Sequence, residues 1–281
     1  MADNITVSLG ARGAADDRAY LKLRKIPSAA GIYPVSIDLN GQQLKSSFKV
    51  KPFNWIPVFD AEFNDVLDAQ KFVWQNNHWK IGAPYEQPTV GMVGMTGPSN
   101  YSIVPWAAYV LPEQMTPPGP VTNGIVEFRV RNYYRYVAGG AEIYEWPCVL
   151  FRLTGVPSMQ GWDCYNAYSA MLIENAFIIR HPNGTYAALI MAGFAPLTWY
   201  DFRITWQDGY SPAGVKSTIL DIEMYQGGNW VSLGRFYDST RWAYDSPTNM
   251  VAIGVMGEDV GLSELYCAGF DYFRVWRREP I

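Results

Sequence analysis

Histidine and cysteine are scarce in this chain of 281 residues, with two of the first and three of the second. His78, in WQNNHWK, and His181, in RHPNGT, stand beside no Ser or Cys motif such as G-x-S-x-G, so nucleophilic hydrolysis is not indicated. Cys148, Cys164 and Cys267 are an odd, widely spaced set without a CxxC, which excludes a disulfide framework or a zinc site and predicts buried thiols. Charged residues make up only 17% of the chain, and no apolar run is long enough to cross a bilayer. The opening MADNITVSLG lacks a basic region followed by an apolar stretch, so a chain made in the cytoplasm, without a secretory signal, is expected. No glycine-rich phosphate loop is present either. Neither a nucleic acid nor a membrane is expected as a partner.

What is abundant is aromatic. Eleven Trp, 19 Tyr and 13 Phe bring the aromatic share to 15%, which excludes a disordered chain and points to extensive sheet surface. Nearly every segment after Trp55 reads as strand or turn: GIVEFRVRNYY (124–134), PCVLFRLTG (147–155), YSAMLIENAFIIR (168–180), YAALIMAG (186–193), WYDFRITWQ (199–207), STILDIEMYQGGNWVSLGRFY (217–237) and MVAIGVMG (250–257). Turn clusters such as HPNGT and QDGYSPAG separate them. A helical period is confined to a short piece around 65–72. In WYDFRITWQ, Tyr200, Phe202, Ile204 and Trp206 share one face and Trp199, Asp201, Arg203 and Thr205 the other. By the same alternation, Phe270, Tyr272, Arg274 and Trp276 oppose Asp271, Phe273, Val275 and Arg277 in the closing strand. Most of these aromatics are read as packing residues.

Charge divides the chain in two. Residues 1–57 hold eight Lys or Arg against four Asp or Glu, net +4, whereas 58–281 hold 14 against 22, net −8. The first part is also made of short strands broken by Gly, Pro and Asn-Gly. It reads as a basic β appendage, with Arg12, Arg18, Lys22, Arg24 and Lys25 as candidates for docking on an acidic partner.

From residue 58 onward the order of pieces, FDAEFND (59–65), WKIG (79–82), GIVEFRVR, VLFRLTG, AMLIE, WYDFRITW, LDIEMYQGGNW, AIGVMG and FDYFRVWRR, resembles the concanavalin A-like lectin/glucanase jelly roll, the group that includes laminin G-like modules. The resemblance implies an all-β fold: a two-sheet antiparallel jelly-roll sandwich over 58–281, with the small N-terminal β appendage of 1–57. It also implies a place to look for catalysis, because glucanases of this group carry E-x-D-x-E. Asp221 and Glu223 share a strand face at about 6.5–7 Å, near the spacing of a carboxylate pair that works on glycosidic bonds. Aligning the family's last Glu on Glu223 puts Ile219 where the first should be, and aligning its first on Asp221 puts Tyr225 where the last should be. One catalytic carboxylate is missing in either alignment, so Asp221 and Glu223 are expected to be solvated strand residues and no catalytic residue is assigned. Asp60, Glu62, Asp65 and Asp68 offer oxygen ligands for a structural Ca²⁺ but do not match the D-x-D-x-D-G loop, so no cofactor is expected.

The loops are better suited to binding. QNNHW (75–79), MQGWDCYN (159–166), YQGGNW (225–230) and STRWAYD (239–245) set Trp79, Trp162, Tyr165, Trp230, Trp242 and Tyr244 among amide and acidic groups. That mixture stacks on sugar faces and hydrogen-bonds hydroxyls, and it serves protein interfaces equally well. The expected function is that of a non-enzymatic structural protein of a virion, of phage capsid-decoration or fibre type. Its N-terminal segment would dock on a capsid or other virion protein, its sandwich would be displayed towards a cell-surface glycan or a protein, and it would assemble as a homo-oligomer. The alternative is a glycan-active hydrolase or lectin of the same fold.

Overall fold

The structure, a computed structural model, describes residues 7–9, 21–23, 31–39, 42–50, 53–63, 66–75, 79–81, 93–96, 106–132, 135–138, 141–160, 163–173, 176–195, 198–257 and 266–280. The chain divides into two compact units, 1–54 with 279–281, and 55–278. In the first, β1 (Val7–Leu9) pairs antiparallel with β2 (Leu21–Leu23), and β3 (Gly31–Leu39) with β4 (Gln42–Val50). Leu39 faces Gln42, and Asn40 and Gly41 lie outside the described residues. Lys22 lies on β2; Arg12, Arg18, Arg24 and Lys25 lie outside the described residues.

The second unit begins within β5 (Phe53–Ala61), which runs through residues 57 and 58, and continues with the short helix α1 (Val66–Gln70) where the helical period falls. Next come β6 (Val73–Trp74), β7 (Trp79–Ile81), β8 (Val93–Thr96), β9 (Trp106–Val110), β10 (Gly124–Asn132), β11 (Arg135–Ala138) and β12 (Ala141–Leu153). After a small β13 (Met159–Gln160) and β14 (Asp163–Cys164) hairpin follow β15 (Tyr168–Ile173), β16 (Ala176–Arg180) and β17 (Tyr186–Met191). The chain closes with β18 (Trp199–Tyr210), β19 (Lys216–Gln226), β20 (Asn229–Asp238), β21 (Met250–Gly257) and β22 (Tyr266–Pro280).

These strands form a two-sheet antiparallel sandwich of jelly-roll type. The first sheet runs β20-β19-β18-β10-β22-β8-β7, with β5 also on β22, and the second runs β17-β16-β15-β12-β21-β9-β6, with β11 on β12. Phe202 and Trp206 of the first sheet meet Phe177 and Phe151 of the second, with ring centroids 4.3 and 4.9 Å apart, so these aromatics are packing residues, as expected. The two sheets differ in how they are covered. The outer face of the first is solvated, which is why its strands alternate apolar with charged residues. The second is buried on both faces at β12, β15 and β16, since Cys148, Leu150, Met171 and Ile178 form a second apolar cluster with Cys164 and Ala167. Strands covered on both sides read as continuous apolar runs, and VLF, AMLI and FII are such runs.

Three expectations need correction. The segment 168–180, given above as one piece, is an antiparallel pair, β15 and β16, with Ile173 opposite Ala176. Strand β12 begins at Ala141 and passes through Pro147, a residue expected only at its start; pairing with β15 starts at Cys148, so the missing N–H costs no ladder bond on that side. In β22 the register against β10 slips between Arg129 and Val130, leaving Asp271 as an extra residue. The bulge reverses the alternation, so Phe270 is buried in the core with Phe273 and Val275, while Asp271 joins Tyr272 and Arg274 on the solvated side.

Candidate functional site

The solvated face of the first sheet carries a ruled arrangement of charge. Because antiparallel register sets residues directly opposite one another, the polar positions of four strands line up as rows across the sheet. One row is Glu223 (β19), Arg203 (β18), Glu127 (β10) and Arg274 (β22). Arg203 donates to Glu127 and approaches Glu223 at 3.5 Å, and Arg274 donates from Nε to Glu62 at 2.8 Å, with Asp60 at 3.4 Å. In the next row Arg129 stands opposite both Asp201 and Tyr272. Its Nη1 donates to Asp271 at 3.1 Å and its Nε lies 3.7 Å from Asp201, while the Tyr272 hydroxyl donates to Asp201 at 2.8 Å. On the other flank Arg235 donates to Asp221 at 2.9 Å, and that row continues through Thr205 and Ile125 to Trp276.

Aromatic rings are set into this grid. The Arg203 guanidinium lies 4.2 Å from the Trp230 ring centroid, Arg274 lies 4.6 Å from Tyr272, and Arg129 and Arg131 lie 5.7 and 5.8 Å from Trp199. Tyr225, exposed, meets Trp230 edge-on at 5.4 Å. Planar cations over ring faces hold these side chains in place, with the rings part-exposed beside satisfied charges. Burial, then the bond to Asp201, raises the Tyr272 phenol above its ordinary value and keeps it a donor. Burial likewise raises the Asp271 carboxyl, against the lowering pull of Arg129.

Asp221 and Glu223 do share the solvated face of β19, and each is occupied by an arginine. The register also brings Glu127 two strands from Glu223, a neighbour the motif comparison missed. Arg203 bonds both and fills the gap in which a pair of catalytic carboxylates would hold a glycosidic bond.

A second polar cluster lies at the end of β20 remote from Trp230. Arg152, fully buried, takes a positive φ of 51° at a register slip in β12. It donates to the carbonyls of Thr122 (3.0 Å) and Trp242 (3.2 Å), to Thr218 Oγ1 (2.7 Å) and to Asp208 (2.9 Å). Tyr168 donates to Asp238, which also accepts from the backbone N–H of Thr240 at 3.0 Å. Burial, then the Asp238 charge, raises the Tyr168 phenol strongly. Asn249 ties the Ala243 carbonyl at 2.8 Å. The cluster therefore pins the 239–248 turn, where Arg241 and Ala243 also hold positive φ, onto the sandwich.

The aromatic residues singled out from the sequence do not converge. Eight residue steps of strand separate Trp230 from Asp238, or about 26 Å, so Trp230 and Trp242 lie towards opposite ends of β20. Trp242 packs against the core and sets its ring edge-on to His181, whereas Tyr244 is exposed beneath the Arg241 guanidinium at 3.5 Å. Tyr165 is exposed on the turn after β14. Trp79 lies on β7 opposite Met95, and Trp162 and His78 lie outside the described residues. Of the four acids considered for Ca²⁺, Asp60 and Glu62 serve Arg274, Asp68 serves Lys71, and Asp65 lies outside the described residues. Among the described residues no group of three His, Cys, Asp or Glu is disposed to hold a metal ion.

No family model and no curated protein matches the sequence. Among solved structures the chain is similar to basic winged bean lectin with Tn-antigen (9% identity, TM-score 0.45, 81% of this chain and 99% of that one). It is similar also to the CBM2 module of the evolved Dit of Lactobacillus casei BL23 phage J-1 (8%, TM-score 0.44, 81% and 97%). A third is the Bacteroides ovatus xyloglucan PUL protein GH43B (12%, TM-score 0.41, 79% of this chain and 39% of that one).

Proposed function

We propose that the sandwich is a non-catalytic carbohydrate-binding module whose contact surface is the solvated face of the first sheet, around Trp230, Tyr225, Tyr272 and Trp276. The observation that carries this reading is the combination of part-exposed rings with charges already paired to one another. Rings offer apolar planes to sugar faces, and paired carboxylates and guanidiniums offer fixed acceptors and donors to hydroxyls without a surplus field. Arg203 between Glu127 and Glu223 supports binding over hydrolysis. Display on a virion, docked through the basic residues 1–57, is the second part of the proposal; it is supported by the +4 charge of that segment against −8 for the rest.

A panel of neutral and acidic glycans tests the first part. Retention of at least one neutral glycan, with no release of reducing ends on prolonged incubation, is the expected result. Hydrolysis abolished by Glu223→Gln would overturn the non-catalytic reading, and silence across the panel would overturn the carbohydrate one.

A further inference from the structure

Three Asn-Gly pairs occur in the sequence, at 40–41, 123–124 and 183–184, and the last two lie among the described residues in opposite surroundings. Asn183 and Gly184 belong to the turn that joins β16 to β17, with Asn183 and Thr185 exposed. The Asn183 carboxamide is held by its oxygen: Oδ1 accepts the Thr185 backbone N–H at 3.0 Å and the Thr185 hydroxyl at 2.6 Å. An N–H can be met only by the oxygen, so this bond settles the orientation of the amide. The amide nitrogen, Nδ2, makes no hydrogen bond among the described residues. Gly184 follows at a φ of 82°, a conformation that glycine takes freely, and it sets no Cβ beside its own nitrogen.

We propose that Asn183 is a site of spontaneous deamidation, at which the backbone nitrogen of Gly184 attacks the side-chain carbonyl carbon of Asn183. The new N–Cγ bond closes a five-membered imide, the bond from Cγ to Nδ2 breaks, and the proton lost by the Gly184 nitrogen leaves with Nδ2 as ammonia. Water then opens the imide at either carbonyl, giving an aspartyl or an isoaspartyl residue, and nothing is oxidised or reduced. During the attack negative charge develops on Oδ1, where the two Thr185 donors already point. Nucleophile and carbonyl belong to neighbouring residues, so the step is intramolecular. The Gly184 N–H must first leave the His181 carbonyl, which it meets at 2.8 Å in a single turn bond at the surface. Asn123-Gly124 has no such freedom. Its Asn Oδ1 accepts the Asp208 N–H at 2.8 Å, and Gly124 is buried in β10 opposite Trp206 on one side and Arg277 on the other. Even a Cβ at Gly124 would lie 2.4 Å from the Trp206 side chain, so closing an imide there would pull β10 out of the middle of the first sheet. Conversion at 183 adds one negative charge beside Arg180, which already spans the Gly184 carbonyl at 2.7 Å and Asp163 at 2.9 Å. The isoaspartyl form also lengthens the main chain of the turn by one methylene, at the base of β17.

Prolonged incubation of the folded full chain at mildly alkaline pH, followed by peptide mapping with mass spectrometry, tests the site. Asn183 is expected to convert more than about tenfold faster than Asn123, and to give both aspartyl and isoaspartyl products, as an imide route requires. Thr185→Val keeps the backbone donor and deletes the hydroxyl at an exposed position, so it should slow conversion at 183 several-fold with an unchanged Tm. An Asn183 that persists unaltered, an Asn123 that converts as fast, a purely aspartyl product, or an undiminished rate in Thr185→Val would each overturn the proposal.

Discussion

Replacing Arg203 with Met keeps the length of the side chain and deletes its charge. Arg203 is the only cation between Glu127 and Glu223 in its row, and it rests on Trp230. Two partly solvated ion pairs contribute about 0.2–1 kcal/mol each, and the cation–ring contact a further 0.5–1 or so. The two glutamates it leaves stand two strand spacings apart, about 9.6 Å, where unscreened repulsion is on the order of 1–2 kcal/mol at an effective dielectric of about 20. Glu127, with a side chain only 12% exposed, cannot swing far into water to escape. The expected loss is therefore about 2–5 kcal/mol, or a fall in Tm of roughly 4–20 °C for a domain of this size. Adding Glu127→Gln to Arg203→Met should restore about 1–2 kcal/mol, and 1 M salt should shrink the difference between Arg203→Met and wild type. Additive single substitutions in the cycle, or a Tm unchanged by Arg203→Met, would show that the charge rows do not hold the face together.

Other outcomes follow from the same geometry. Arg152→Met should cost about 3–5 kcal/mol and open the 239–248 turn to proteolysis, since it leaves three neutral acceptors without their buried donor and Asp208 with Arg241 alone as ion-pair partner. Asp271 has a folded pKa raised by burial, so its favourable contribution is present below the ordinary value of 3.8 and is lost as pH rises through the folded value. Asp271→Asn should accordingly leave Tm at pH 7 equal to or above that of wild type and flatten the decline above pH 4, as differential scanning calorimetry would show. Burial pushes the Cys164 thiol up to about 11 and raises the Cys148 thiol well above its ordinary value, and both are free, so strong reductant should not shift Tm and both thiols should react with Ellman's reagent only on unfolding.

The strands of the first sheet were legible because solvent covers one of their faces and imposes a period of two. GIVEFRVR and WYDFRITW show which side chains turn inward, and the structure agrees residue by residue at Val126, Phe128, Phe202, Ile204 and Trp206. The helix near Val66 and the Gly227-Gly228 hairpin were legible for equally local reasons, the latter through two residues at positive φ. The second sheet was harder. Its strands are covered on both sides, so no alternation marks which side chains turn inward, and the polar pair Glu174-Asn175 is the lone sequence mark between β15 and β16. The bulge at Asp271 has no local signature, and a one-residue slip is enough to send Phe270 to the core. The site suffered most, because rows such as Glu223–Arg203–Glu127–Arg274 are drawn from four distant segments and exist only once register is known. A signal was present in the alternating Glu and Arg of those strands; the loop aromatics, chosen for residue type alone, are divided by the length of β20.

Affinity for the best-retained neutral glycan, measured by titration calorimetry for wild type, Trp230→Ala and Tyr244→Ala, separates the sheet face from the end loop. Trp230 stands in the charged grid and Tyr244 on the exposed turn about 26 Å of strand away. The account predicts that Trp230→Ala weakens binding by about 1–3 kcal/mol, roughly 5- to 150-fold, while Tyr244→Ala leaves it within twofold or so of wild type. Full affinity in Trp230→Ala, together with loss in Tyr244→Ala, would contradict it.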